Sequence, residues 1–401
     1  MGLFSKGELK LLWPFYLEGL IVCSFLILIP FQILYFISIG LSMTQVGILS
    51  SVMMLAALLF EIPTGAVADI YGRKFSVILG WTLEALMISL IFFANSYFYL
   101  LILCFFWGIS RTFSSGSYDA WVVDLLKAKR KKSLIPIFFS KHLSIYNLGF
   151  VLSGIIGTFC VATFGLSSIW LFSGVACVMG ALIICFGEEI YEKPKVKIKE
   201  SFARLWNQTK ESSYYSYKHH VLYFIFLIFF IIAIAASFEG FISWTPLLKN
   251  LGFEDAYFGY LFTVMAIIGV GAPLLANKFM KSNNEKKLLV ISAMITLVYG
   301  FLILISNNLI LTIIVLMIGT TIWAFEVPII QTYFQRFIPT KKRATIGSIG
   351  GMISSLALII GTPIAGFLID SLGPKLAIFI AALLSIPVII LYNRINEKKS
   401  K

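Results

Sequence analysis

The chain has 401 residues, of which 59% are hydrophobic and only 13% charged, with a formal net charge of +13. A soluble globule carries about 25% charged residues, so this composition excludes an ordinary water-facing surface and points to lipid as the solvent. The apolar runs last about 20 residues without alternation, which selects spanning helices over a β-barrel.

Twelve spans are predicted, over residues 11–38, 46–69, 74–94, 97–123, 136–162, 166–187, 219–248, 255–278, 287–306, 309–334, 344–370 and 376–393. They fall as six, a polar stretch, and six more. The expected fold is all-α integral membrane, with residues 1–187 an N-terminal six-helix bundle and 219–401 a C-terminal bundle and tail. Residues 188–218 are expected to form a cytoplasmic linker. Within it Ile198, Phe202 and Leu205 recur at helical spacing among Lys199, Arg204 and Lys210, which predicts a short helix on the membrane surface. The first run is long enough to span and no small-residue cleavage site follows it, so no cleavable signal is expected.

The 32 Lys and Arg residues set the orientation. Arg111 lies inside a span, and only Lys249 and Lys375 fall in turns assigned outside; the other 29 fall on the side assigned inside. Cytoplasmic loops retain Lys and Arg, so both termini are expected to be cytoplasmic. The basic loops are read as topology determinants and as partners for anionic lipid headgroups. A nucleic-acid binder would carry this charge on one face of a folded domain, and no such domain is left over.

The five cysteines (Cys23, Cys104, Cys160, Cys177 and Cys185) sit in apolar runs without zinc spacing and read as buried free thiols. The three histidines, His142, His219 and His220, fall in basic settings and supply no metal site. No P-loop pattern occurs, so energy must come from an ion gradient or from the solute's own gradient. No cofactor and no metal are expected, and the chain does not read as an enzyme.

The two halves carry traces of a repeat. Ser144-Ile145 and Ile155-Ile156-Gly157-Thr158 recur as Ser348-Ile349 and Ile359-Ile360-Gly361-Thr362, which places span five opposite span eleven. Small residues four apart, Gly149, Ser153 and Gly157 in span five and Ala357, Gly361 and Ala365 in span eleven, predict close helix packing.

The strongest local signal is the run Gly65-Ala66-Val67-Ala68-Asp69-Ile70-Tyr71-Gly72-Arg73-Lys74, between spans two and three. Gly65 allows close approach, Asp69 puts an acid at the membrane edge, Gly72 turns the chain, and Arg73 and Lys74 stay in the cytoplasm. The run resembles the signature loop of the major facilitator superfamily, G-x-x-x-D-x-x-G-R-K, in the correct loop of a twelve-span chain. Ile70 stands where many members carry a basic residue. The resemblance implies the major facilitator fold and a conformational latch. Its residues would be Gly65, Asp69, Gly72, Arg73 and Lys74, with Asp124 joining Arg73. The acid would lie near the start of span eleven, Thr345 to Gly347. The matching loop of the second half, Pro273 to Lys281, has Asn277 in place of the acid, which implies a one-sided latch. Glu61-Ile62-Pro63-Thr64 and the run from Arg111 to Asp124 resemble a bacterial branch of the superfamily rich in exporters.

Charges within spans are costly and mark pathways. The candidates for a proton or substrate pathway are Glu18, Glu61, Glu84, Arg111, Asp119, Glu239 and Glu326. Each also has a structural reading: Arg111 either serves a proton site or pairs with Glu84 or Glu61, and Glu18 is either an ion site or a structural partner. Trp107, Trp244 and Trp323 are candidates for lining a cavity or for an interfacial belt.

The reading that follows is a monomeric secondary transporter in a bacterial cell membrane, exporting a drug-like molecule or metabolite by antiport with protons. The alternatives are a proton-coupled nutrient uptake carrier and a non-cycling, transporter-like sensor.

Overall fold

In the computed structural model of the chain, the described residues are 4, 7–190, 210–280 and 284–397. They form an all-α membrane fold. Its twelve apolar helices are α1 (Glu8–Ser38), α2 (Met43–Tyr71), α3 (Arg73–Ile91), α4 (Tyr97–Ala128), α5 (Leu134–Phe164), α6 (Ser168–Ile184), α7 (His220–Asn250), α8 (Asp255–Phe279), α9 (Glu285–Ile305), α10 (Leu309–Arg336), α11 (Arg343–Leu372) and α12 (Pro374–Arg394). Eleven are long and apolar enough to cross a membrane, and α6 is the shorter twelfth. Each predicted run coincides with one of them. The surface helix predicted on Ile198, Phe202 and Leu205 lies outside the described residues. Residues 210–218 are helical and lead directly to α7.

Three helices are interrupted within their spans, α12 at Leu384 and α1 and α7 each for a local reason. The first part of α1 ends at Phe25 and its second part starts at Leu28. Pro30 has no N–H to offer the carbonyl of Leu26. The hydroxyl of Ser153 on α5 donates to that carbonyl at 3.3 Å, and the N–H of Leu28 donates to Ser173 Oγ on α6 at 3.2 Å. Two serines thus satisfy backbone groups that lipid cannot. In α7 the break falls between Ser237 and Phe241, where Gly240 takes φ 71°, a conformation open to glycine. The Ser243 hydroxyl donates to the Phe238 carbonyl at this break. Irregular backbone at this depth is tolerated where it lines a cavity, and Glu239 lies within it.

Two compact units are present. One comprises Met1–Tyr35, Val52–Val196 and Glu254–Ala266, and the other Phe36–Ser51, Lys197–Phe253 and Ile267–Lys401. The first has a core of Leu12, Phe15, Trp121, Val122 and Phe138, in which Phe15 meets the Trp121 ring edge-on at 4.9 Å. The second is built around Ile225, Ile329, Tyr333, Phe334 and Tyr392.

The predicted small residues lie at buried helix contacts, with Ser153, Ala357 and Ala365 fully enclosed. Gly149 and Gly157 bring α5 onto α1: a Cβ at Gly149 would stand 2.5 Å from Cys23 Cβ, and one at Gly157 2.7 Å from the Phe31 ring. Gly361 brings α11 against Ser237 of α7. Other glycines bring backbone directly onto backbone. Within the first unit, a Cβ at Gly154 would lie 2.3 Å from the Gly259 carbonyl of α8. Within the second, a Cβ at Gly47 of α2 would lie 2.3 Å from the Thr362 carbonyl of α11. Lipid gives helices no hydrophobic reason to associate, so such backbone contact is what dispersion requires.

Candidate functional site

At the end of α2 the chain turns through Gly72, at φ 99°, into α3. Arg73 pairs with Asp124 of α4 at 2.5 Å, and Lys127 reaches the same carboxylate at 4.0 Å. Lys74 is held twice: its N–H donates to Glu189 Oε1 at 2.9 Å, and its ammonium donates to the carbonyls of Cys185 and Gly187 at 2.6 and 2.9 Å. Glu189 therefore places an anion at the N-terminus of α3, where the helix dipole favours it. Asp69 is exposed and shares one cleft with Arg73, Asp124 and Glu189. A Cβ at Gly65 would meet nothing within 4 Å.

Glu18 lies in α1 with no exposure to solvent. Its Oε2 accepts the Tyr118 hydroxyl at 2.6 Å, and its Oε1 has no hydrogen-bond partner. The same hydroxyl is 3.2 Å from Nε2 of His142. The imidazole stacks on Phe138 and Tyr118 at 4.9 and 5.4 Å and touches the Tyr146 ring at 4.5 Å. His142, basic as its sequence setting is, thus belongs to an acid–phenol–imidazole chain.

Glu84 is buried, and the indole N–H of Trp107 donates to it at 3.0 Å. Arg111 reaches Glu84 only through its longer-range field. Arg111, Asp119 and Glu61 are exposed. The structure therefore brings Glu18, Tyr118 and His142 together, and Glu84 with Trp107, but leaves Glu61 and Asp119 outside both groups.

In the second unit, Glu239 at the break in α7 and Glu326 on α10 line one cavity, with Tyr299 of α9 and Trp323 of α10. Ser292 donates to Glu326 at 3.3 Å. Trp107 is taken up by Glu84 and Trp244 is buried, whereas Trp323 faces this cavity.

Sequence reasoning missed the counterpart of the Arg73–Asp124 pair. Arg336, the last residue of α10, pairs with Glu285, the first residue of α9, at 2.9 Å across 51 positions, the separation that also divides Arg73 from Asp124. The charges are exchanged. Glu285 at a helix N-terminus and Arg336 at a C-terminus both lie with the helix dipoles, whereas Arg73 and Asp124 lie against them. Arg336 also pairs with Glu397 at 2.5 Å, and its guanidinium stands over the Phe337 ring at 4.9 Å. The signal available in sequence was an acid following Asn284 at the start of span nine.

A second missed residue is Asp370. Its carboxylate accepts the N–H groups of Met43 and Thr44 at 2.9 and 2.8 Å and the Thr44 hydroxyl at 2.6 Å. It caps α2 from α11, beside a local capping box in which Ser42 and Gln45 exchange bonds of 2.9 and 3.2 Å. The box is readable from Ser42-Met43-Thr44-Gln45, but the cap from Asp370 is not.

A family model described as Major Facilitator Superfamily matches residues 17–362. The uncharacterized MFS-type transporter YxaM of Bacillus subtilis (strain 168) is 23% identical over 394 residues, covering 92% of each chain. The uncharacterized MFS-type transporter MJ1560 of Methanocaldococcus jannaschii is 23% identical over 383 residues, covering 92% of this chain and 93% of its own. Among solved structures, a bacterial homolog of the human lysosomal transporter Spinster, inward-facing and occupied, aligns with a TM-score of 0.75 at 14% identity over 99% of both chains. The nucleoside transporter NupG aligns with a TM-score of 0.74 at 12% identity, over 95% of this chain and 98% of its own. A D-xylose-proton symporter aligns with a TM-score of 0.67 at 13% identity, over 97% and 98%.

Proposed function

The chain belongs to the major facilitator superfamily, and from that premise we propose that it exports a small solute in exchange for protons, by alternating access. The observation that carries the reading is the enclosed Glu18, with Tyr118 as its donor and His142 next in line. A carboxyl kept in the hydrocarbon zone costs several kcal/mol unless it is paired or meets water, which marks it as part of an ion pathway. Tyr118 can relay a proton between His142 and Glu18 because a phenol both donates and accepts. Glu84, Arg111, Asp119 and Glu61 extend the pathway in the first bundle, and Glu239 and Glu326 supply its acids in the second. Export rather than uptake rests on the Glu61-Ile62-Pro63-Thr64 and Ser115 to Trp121 resemblances to an exporter-rich branch.

In this reading residues 1–187 and 219–401 are the two bundles, joined by residues 188–218, and the protein works as a monomer in a bacterial cell membrane. Its basic loops and both termini face the cytoplasm and its anionic lipids. Gly65, Asp69, Gly72, Arg73, Lys74 and Asp124 form the latch on that side. The α2–α11 and α5–α8 seams, at the opposite ends of those helices, form the outer gate.

A ligand screen by thermal shift on the purified protein would identify a solute, since any specific binder raises apparent stability. Added to proteoliposomes loaded with a pH dye, that solute should move protons in wild type and not in Glu18→Gln. Solute movement without proton flux, or flux unchanged in both Glu18→Gln and Arg111→Ala, removes the coupling. Cysteines placed at Arg130 and Lys342 should label from the same side of the membrane; labelling from opposite sides removes the topology.

A further inference from the structure

The pattern at the end of α2 recurs at the end of α11. Gly65, Asp69, Gly72 and Lys74 spell G-x-x-x-D-x-x-G-x-K, and Gly366, Asp370, Gly373 and Lys375 repeat it at the same spacings. The local geometry repeats as well. Each acid lies two residues before its helix ends, at Tyr71 and at Leu372. Each second glycine takes a positive φ, 99° at Gly72 and 85° at Gly373, and turns the chain into the next helix. Each lysine then donates just beyond the C-terminus of a neighbouring helix, where carbonyls lack helical partners. Lys74 takes the carbonyls of Cys185 and Gly187 after α6, and Lys375 takes the Ser306 carbonyl and, at 3.0 Å, Asn307 Oδ1 after α9.

The two copies sit at opposite ends of α2. Contacts run from Met43 with Asp370, through Gly47 with Thr362, to Ser51 with Ile359, so the start of α2 lies antiparallel to α11. The α11 copy therefore meets the N-terminus of α2, whereas the first copy closes its C-terminus. With 29 residues, α2 separates them by roughly 40 Å, a membrane's thickness.

The α11 copy is engaged. An added Cβ at Gly366 would run into the Met43 carbonyl and stand 2.7 Å from Thr44 Cα, so only glycine lets the two backbones meet there. One turn later Asp370 accepts the N–H groups of Met43 and Thr44 and the Thr44 hydroxyl. A carboxylate at a helix N-terminus is favoured by the dipole and satisfies N–H groups that have no helical partner. At Gly65 an added Cβ would meet none of the described residues within 4 Å, so no described helix is packed on that glycine.

We propose that Gly366, Asp370, Gly373 and Lys375 form a second latch, on the membrane face opposite the first, and that the two latches hold alternate states of the cycle. The α11 acid grips the start of α2 while the pathway is closed on its face, and lets go when the pathway opens there. This rests on the alternating-access reading above and adds the residues that hold its outer gate. Asp370 is a positioning residue, since it touches α2 and not the solute.

The test uses the full-length protein in detergent, with its native cysteines replaced. Spin labels at Ile39 and Leu372 report one face and labels at Tyr71 and Ala344 the other; all four positions are exposed. Double electron–electron resonance should show Asp370→Ala raising the ratio of separated to closed ends at the Ile39–Leu372 pair roughly fivefold, the worth of a typical lost cap. The Tyr71–Ala344 pair should close in step. Asp370→Asn, which keeps a neutral cap, should give a smaller shift in the same direction, and it carries the test if the alanine variant fails to fold. Asp69→Ala should move both pairs the other way, and the double variant should return both toward wild type. A residue that merely caps a helix would lower the unfolding midpoint and leave both distances alone. Unchanged distances in a folded Asp370 variant, or both pairs moving in the same direction, overturn the proposal. Opposed shifts without solute movement in liposomes uphold the latch and count against the transporter reading instead.

Discussion

The phenol of Tyr118 donates to Glu18 at 2.6 Å across 100 residues of sequence, and it is the donor that holds this otherwise enclosed carboxyl. Tyr118→Phe keeps the ring, with its edge-on contact to Phe15 at 5.7 Å, and removes only the hydroxyl. A buried acceptor left without its donor costs about 1–3 kcal/mol, so the unfolding midpoint in detergent should fall modestly. Proton flux should fall roughly tenfold or more, as for loss of a positioned proton-transfer group, while solute affinity changes little. Equal loss of affinity and flux would make Tyr118 a packing residue only.

The charge-exchanged pairs should differ in strength. Partly exposed ion pairs contribute about 0–1 kcal/mol, and each helix dipole adds or subtracts about 0.3–1 kcal/mol. Glu285–Arg336 gains from both dipoles and Arg73–Asp124 from neither. Thermal unfolding should therefore show Arg336→Gln more destabilising than Arg73→Gln, whereas transport should be more sensitive to Arg73→Gln. The reverse order in stability would refute the dipole argument.

The glycine seams give a steric contrast. At Gly47 and Gly154 an added methyl would meet backbone carbonyl oxygen at 2.3 Å, which the neighbouring helix must move to accommodate. Gly47→Ala and Gly154→Ala should each cost about 1–3 kcal/mol, in line with overpacking. At Gly351, also helical, an added methyl would meet nothing within 4 Å, so Gly351→Ala should be neutral or stabilising by up to about 1 kcal/mol through helix propensity. Differential scanning fluorimetry of the three variants separates these outcomes.

Asp370 caps α2 through three bonds that no other side chain of α11 provides. Asp370→Ala should cost about 1–2 kcal/mol, typical of a lost cap. It should also raise the labelling rate of a cysteine introduced at Thr44. An unchanged rate would mean that the bonds do not hold this end of α2.

Four of the five cysteines are buried and Cys185 is exposed, in contrast to the expectation that all are enclosed. The folded protein should react with one maleimide per chain, and Cys185→Ser should abolish that reaction. A second reactive thiol would place another of these cysteines at an accessible surface.

The sequence by itself determined the twelve helices and their order, because hydropathy over about 20 residues is a local property that lipid enforces. It also marked the turn at Gly72, since a glycine before Arg73 and Lys74 is a local signal. Glu18, Glu239 and Glu326 were legible as acids in apolar runs, and the cost of burying charge makes any such residue conspicuous. Their partners were not. Tyr118 and His142 reach Glu18 from α4 and α5, Glu189 caps α3 from beyond α6, and Asp370 caps α2 from α11. Only packing decided these relations, because hydrogen bonds and ion pairs act over a few ångströms between residues that the chain separates by as many as 327 positions.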